Sequence, residues 1–178
     1  KLEDFGISIG EADENLGAIA LGGMSTGVSP VQLASAYTTF VNEGVRTEAR
    51  FITKIVDATG AVIVDNTNPE TNRVTTAAVA EEMTSMLMGV YADGGTGASA
   101  QPSNGMVIAG KTGTTELDRE TGYIKSQWMV GYTPDLVVAT WLGYDETNEA
   151  HNLNNAGKTM ANLYSAEMGA LLSISPQT

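Results

Sequence analysis

The sequence predicts an α+β fold in which an antiparallel sheet is flanked by helices. Three observations carry the prediction. Apolar residues recur at helical spacing in three places: Leu33, Ala36, Tyr37, Phe40 and Val41; Val79, Met83, Met86, Leu87 and Val90; and Ala161, Tyr164, Met168, Leu171 and Leu172. Three strand-like runs, Met106–Thr112, Gln127–Tyr132 and Leu136–Tyr144, stand between the second helix and the third. Thr133-Pro134-Asp135 is a tight turn between the last two runs, so those strands pair antiparallel. Helices before the strands and a helix after them suit a sheet covered by helices.

Each element has its own signal. Lys1 to Gly6 reads as the tail of a helix. With Lys rather than Met at position 1, the expectation is a chain that starts inside a larger unit. Residues 10–28 are Gly-rich and polar, a loop or very short elements. Ser29 is an N-cap with Pro30 at the first helical position, and Gly44 is placed to close that helix in a left-handed cap. Residues 51–56 and 61–64 flank Asp57-Ala58-Thr59-Gly60 and read as a β-hairpin. The second helix is expected to end at Gly94-Gly95, with its methionines as core filler. The loop from Glu116 to Lys125 is long and charged. Glu116, Asp118 and Glu120 lack the ligand spacing of a calcium loop and read as a solvated hairpin tip. Lys158-Thr159 reads as a helix start, not a second site. No internal repeat or low-complexity tract interrupts the pattern.

Composition narrows the function. The chain has 178 residues, one domain or a large piece of one. Apolar residues at 42% and charged residues at 17% make it globular, and a chain this long can bury roughly 70% of its unfolded surface. A net charge of −12 argues against a nucleic-acid or anionic-membrane surface. Cysteine is absent, which excludes disulfides, thiolate metal sites and Cys nucleophiles. His151 is the sole histidine, so no His-rich metal site is expected, and no cofactor is implied. It reads as a surface residue. No apolar run reaches the length of a membrane span.

The chemistry concentrates at Lys111, which admits two readings. Gly105-Met-Val-Ile-Ala-Gly110-Lys111-Thr112 matches the phosphate-binding loop pattern letter for letter. Such a loop is a flexible turn between an apolar strand and a helix. Here the variable positions are Met, Val, Ile and Ala, which favour a buried strand. Ser99–Asn104 before them is polar, and Gly113-Thr114-Thr115 and a charged loop follow. The other reading is a strand that carries Lys111, Thr112, Gly113, Thr114 and Thr115 to the edge of a cleft. Alternation puts Thr112 and Thr114 on one face and Lys111 on the other, unless Gly113 lets the strand twist or bulge. Gly113 lets another backbone approach, the hydroxyls and ammonium suit a carboxylate, and the Thr114 N–H suits a developing oxyanion. A plainer alternative keeps Lys111 as a solvated strand-end lysine among β-forming threonines.

A series of ordered blocks adds a resemblance. Lys111-Thr112-Gly113-Thr114-Thr115, Trp128-Met-Val-Gly-Tyr-Thr-Pro-Asp-Leu136 and Trp141-Leu-Gly-Tyr-Asp145 resemble the C-terminal part of the transpeptidase domain of class A penicillin-binding proteins. Leu21-Gly22-Gly23, Gly27-Val-Ser-Pro30, Ala34-Ser-Ala-Tyr37 and Gly94-Gly-Thr-Gly97 are similar to the same family. The resemblance implies a five-stranded antiparallel sheet between helices, the penicillin-binding and serine β-lactamase-like fold, incomplete in residues 1–178. It implies serine acyl transfer from peptidoglycan stem peptides ending in D-Ala-D-Ala, with β-lactams as mimics. Lys111 and the Thr114 N–H would be the catalytic groups. Thr112, Gly113, Thr114 and Thr115 would contact substrate or antibiotic, the hydroxyls of Thr112 and Thr114 holding its carboxylate. It also implies an extracytoplasmic parent with a membrane anchor.

The match is partial. No serine here has lysine three positions later, and no Ser-x-Asn element is present; Ser103-Asn104 is adjacent and misplaced. Both belong upstream, so the N-terminal remainder of the same protein is the expected partner and this chain alone is expected to be inactive. Ser126-Gln127 stands where the family often carries Asp before the tryptophan. A nucleotide-binding domain of the phosphate-loop type and a catalytically inactive interaction module are the alternatives.

Overall fold

The computed structural model describes residues 1–13, 15–117, 120–153 and 156–175. Its centre is a three-stranded antiparallel sheet in the order β5-β6-β7, with β5 Ala109–Glu116, β6 Ile124–Tyr132 and β7 Val137–Gly143. Before it come α1 Leu16–Ala20, α2 Pro30–Val41, β1 Val45–Thr47, β2 Lys54–Val56, β3 Val62–Asp65, β4 Thr71–Arg73 and α3 Ala77–Met88. A short 3₁₀ turn, Ala98–Ala100, precedes β5, and α4 Ala156–Ile174 closes the fold. The α+β class is as expected. Three strands of the anticipated five-stranded sheet lie among the described residues.

The two faces of the sheet meet different helices. Tyr132 leaves β6 toward α2, where it stacks with Phe40 at 6.3 Å between ring centroids and meets Tyr37 at 6.1 Å. Alternation puts Trp128 and Val130 on that same face. Met129 leaves by the other face, into a core with Met160, Ala161, Tyr164 and Met168 of α4. Tyr164 and Met168 are fully buried, as the spacing predicts. Gly131 sits over that core because a Cβ there would run into the Tyr164 hydroxyl. Thr133 N–H donates to the Leu136 carbonyl at 2.9 Å, closing the β6–β7 turn.

Helix α2 starts where its sequence says it should. The Ser29 hydroxyl accepts from Gln32 N–H at 3.2 Å, and the Gln32 carboxamide accepts from Ser29 N–H at 2.9 Å, a reciprocal capping box. Gly44 adopts φ +90° and lies against the Thr75 carbonyl, where a Cβ would collide. At the start of the chain, Ile7 N–H bonds the Leu2 carbonyl and Gly6 N–H bonds the Glu3 carbonyl, with Gly6 at φ +77°. That is the hydrogen-bond pattern of a helix C-cap, in keeping with the reading of Lys1–Gly6.

Several boundaries differ from expectation. Strand β5 starts at Ala109 rather than Met106 and continues past Thr112 to Glu116, because each residue from Ala109 to Thr115 finds a partner on β6. Helix α3 ends at Met88 with Gly89 as its cap; Gly94-Gly95 belongs to a later turn. Met86 is 65% exposed, so it is no core filler. Only Ala80 of α3 is buried, since the helix meets the sheet along a narrow stripe. The β2–β3 hairpin forms with a register shift at Ile55/Val56. Its turn is pinned by the Asp57 carboxylate, which accepts from Thr59 N–H, the Thr59 hydroxyl and Ala61 N–H. Strands β1 and β4, paired through Val45–Arg73, Arg46–Asn72 and Thr47–Thr71, have no three-residue signal in the sequence. His151 is exposed and stacks on Tyr144. Glu116 and Glu120 are exposed; Asp118 lies outside the described residues.

Candidate active site

The five residues Lys111 to Thr115 lie on β5, at one edge of the β5-β6-β7 sheet. Pairing puts Lys111 opposite Val130, Thr112 opposite Met129, Gly113 opposite Trp128, Thr114 opposite Gln127 and Thr115 opposite Ser126. The register runs without a break until Thr115/Glu116. Gly113 therefore introduces no bulge. Lys111 and Gly113 share the face toward α2, and Thr112 and Thr114 share the face toward α4.

Two contacts orient the β5 backbone. The Val130 carbonyl faces β5, where a Cβ on Gly110 would run into it. Lys111 Nζ donates to the Thr112 carbonyl at 2.9 Å. A strand residue points its N–H and C=O to the same side, and successive residues alternate. Thr112, and with it Thr114, thus turns its backbone polar groups to the open edge. That edge is where an extended peptide can add and where an oxyanion can find a donor.

A cleft of about 530 Å³ runs along this edge. Lys111 through Thr115 and Trp128 form one wall; Tyr37 and Leu33 of α2 and Met24 and Val28 of the preceding loop form the other. A second recess of about 430 Å³ continues past Thr115 over Trp128, Trp141 and Tyr144. The loop of Gly22–Val28 contributes to both. Buried Asp13 anchors that loop: its carboxylate accepts from Ser25 N–H at 2.6 Å and from Gly10 N–H at 3.0 Å. The Ser25 N–H foremost, helped by Gly10, holds the Asp13 carboxyl below its usual range. Another recess, about 590 Å³ between α2 and Pro134–Val137, lies elsewhere. Its Ser35 and Thr38 hydroxyls are spent on the Thr47 and Ser35 carbonyls.

Charge and hydrogen bonding differ among the site residues. Lys111 meets no carboxylate among the described residues; the one ion pair there joins Lys1 and Asp4. Beyond the bond to the Thr112 carbonyl its ammonium keeps further donors. The Thr112 hydroxyl pairs with the Thr96 hydroxyl at 2.8 Å. Gln127 Nε2 donates to the Thr114 hydroxyl at 3.4 Å. Thr115 is exposed. Sequence reasoning missed these contacts of Thr96 and Gln127. Gln127 was findable once the register was known, since it faces Thr114 across the strand pair. The cleft walls from α2 and the Gly22–Val28 loop are products of tertiary packing. Among the described residues no cluster of three His, Asp or Glu is placed to hold a metal.

The phosphate-loop reading fails on this geometry. Gly110, Lys111 and Thr112 are paired strand residues, and no helix follows them. A strand cannot wrap its N–H groups around phosphate.

Comparison with known proteins agrees with the transpeptidase resemblance. A family model described as the penicillin binding protein transpeptidase domain matches residues 2–168. The chain is 44% identical over 157 residues to penicillin-binding protein 2a of Streptococcus pneumoniae, covering 88% of this chain and 20% of that protein. It is 41% identical over 141 residues to penicillin-binding protein 1F of Bacillus subtilis, covering 79% of this chain and 19% of that protein. Among solved structures, the PonA1 protein from Mycobacterium tuberculosis in complex with penicillin V superposes with a TM-score of 0.73 at 28% identity. That match covers 96% of this chain and 46% of the chain in that structure. The chain spans about a fifth of the length of these curated relatives. Neither the nucleotide-binding alternative nor the inactive interaction module finds support in these likenesses.

Proposed function

This chain belongs to the penicillin-binding protein transpeptidase domain family, and from that premise we propose that it supplies the Lys-Thr-Gly wall of a serine D,D-transpeptidase site. Residues 1–178 are, on this reading, the C-terminal portion of one transpeptidase domain. The nucleophilic serine, its lysine and the Ser-x-Asn element come from the N-terminal remainder of the same protein. The observation that carries the proposal is the open edge of β5, which lines a cleft with Lys111 to Thr115.

The reaction follows from the groups at that edge. The serine oxygen bonds to the penultimate D-alanine carbonyl carbon of a stem peptide, and its proton passes through neighbouring bases to the leaving amine. The C–N bond breaks, terminal D-alanine departs, and an amine of a second strand later displaces the serine oxygen. The Thr114 N–H at the open edge stabilises the oxyanion. Lys111 supplies positive potential beside the serines. Thr112 and Thr114 donate to the carboxylate of the peptide or of a β-lactam, Gly113 leaves the substrate amide room, and Thr115 extends the contact. The carboxylate meets the strand end-on at its edge, which reconciles its hydroxyl contacts with a lysine on the opposite face. The chain's net charge of −12 does not attract an anion, so this recognition is local. On this reading the parent works on the outer face of a bacterial membrane, held by an anchor outside these residues.

Labelled penicillin tests the proposal. The full-length protein is expected to label covalently and the isolated 178-residue chain to remain unlabelled. Labelling of the isolated chain would place the nucleophile within these residues and overturn the division of the site.

A further inference from the structure

Resting on the transpeptidase reading and deepening it, we propose that Thr96 is a positioning residue that turns the Thr112 hydroxyl proton toward the carboxylate of the bound ligand. The Gly94-Gly95-Thr96-Gly97 stretch is a tight mount for one hydroxyl. Gly94 takes φ +81°. Gly95 N–H bonds the Ala92 carbonyl at 2.8 Å and Gly97 N–H bonds the Val90 carbonyl at 2.8 Å. A Cβ on Gly95 would run into the Val90 carbonyl, and one on Gly97 would stand 3.2 Å from Val90 Cγ1. The turn is thus pressed against the end of the α3 segment. The residue it holds outward is Thr96, whose hydroxyl meets that of Thr112 at 2.8 Å.

A hydroxyl has one proton and two acceptor sites. Thr112 must spend its proton on the ligand carboxylate, which accepts and cannot donate. Its oxygen is then free to accept, and Thr96 is the neighbour placed to donate. The chain Thr96 to Thr112 to carboxylate runs in one direction, and each bond polarises the next. Thr96 acts through Thr112 and does not touch the reacting carbonyl. Its effect falls on recognition of the negative charge, not on the rate of bond formation.

The experiment uses the full-length protein with benzylpenicillin and its methyl ester, resolving the half-saturating concentration and the limiting acylation rate. Thr96→Val keeps the side-chain shape and removes the hydroxyl; Thr96→Ala carries the same comparison with a smaller group. Either is expected to raise the half-saturating concentration of benzylpenicillin up to about tenfold, the upper end for one hydrogen bond between neutral groups. The limiting rate should hold, the methyl ester should show no difference, and Thr96→Ser should restore wild-type behaviour. In a Thr112→Val background the Thr96 substitutions should add nothing. Unchanged benzylpenicillin affinity, or equal loss for acid and ester, would overturn the positioning role while leaving the transpeptidase reading intact. A wild-type protein that takes up no penicillin would overturn both.

Discussion

Lys111 carries a positive charge at a sheet edge where no described carboxylate neutralises it. It gives one bond to the neighbouring Thr112 carbonyl, and an ammonium has three donors. Replacing Lys111 by Ala in the full-length protein is expected to slow penicillin acylation on the order of 100-fold, if the loss resembles that of one oxyanion donor. Stopped-time labelling measures it, and an unchanged rate would remove Lys111 from the mechanism. The threonines beside it play a different part. Their hydroxyls leave by the opposite face, where they meet the Thr96 hydroxyl and Gln127 Nε2. Burial explains why Gln127 can serve: at 7% exposure its carboxamide has little water to turn to.

The elements matter through how they hold the cleft in place. Helix α2 forms the wall opposite β5, with Leu33 and Tyr37 lining the cleft, and its first turn depends on the Ser29–Gln32 capping box. Ser29→Ala is expected to cost about 1 kcal/mol of stability, measured as a shifted denaturant midpoint with an unchanged slope. No shift would mean that Pro30 alone fixes the helix start. Strand β5 shows why a glycine sits next to the site lysine. Gly110 has no room for a side chain beneath the Val130 carbonyl, so its place in the loop-like pattern reflects close strand packing. Gly95 of the 94–97 turn follows the same rule beneath the Val90 carbonyl, whereas Gly94 has space around it and answers to its φ of +81°.

Three tyrosines tie the whole molecule together and give it a pH limit. Burial pushes the Tyr37 hydroxyl up to about 12 and raises Tyr91 and Tyr164 as well. In each case the protonated form is favoured by the fold. Their contribution is therefore complete below the unfolded value near 10 and is lost as pH rises through the folded values. Thermal unfolding temperature should fall steadily as pH rises from about 10 toward 12, and a flat profile over that range would show that the tyrosine hydroxyls are not held away from water by the fold. Tyr164 lies on α4 and Tyr91 beyond α3, their rings 6.1 Å apart, with the Tyr91 hydroxyl donating to the Val130 carbonyl. Ionising them loosens β6, the strand against which β5 is paired.

By itself the sequence determined the α+β class, the capped start of α2, the buried stripe of α4, the antiparallel β6–β7 pair and the motif at Lys111 to Thr115. Those features are local: periodicity, a cap residue or a turn states them within a few positions. Only the tertiary structure decided the extent of β5, the brief β1–β4 pairing, the exposure of Met86 and the partners of the site threonines. Each of these depends on which segment lies alongside, and a contact between Thr96 and Thr112 or between Thr114 and Gln127 exists only after distant stretches have been brought to one edge.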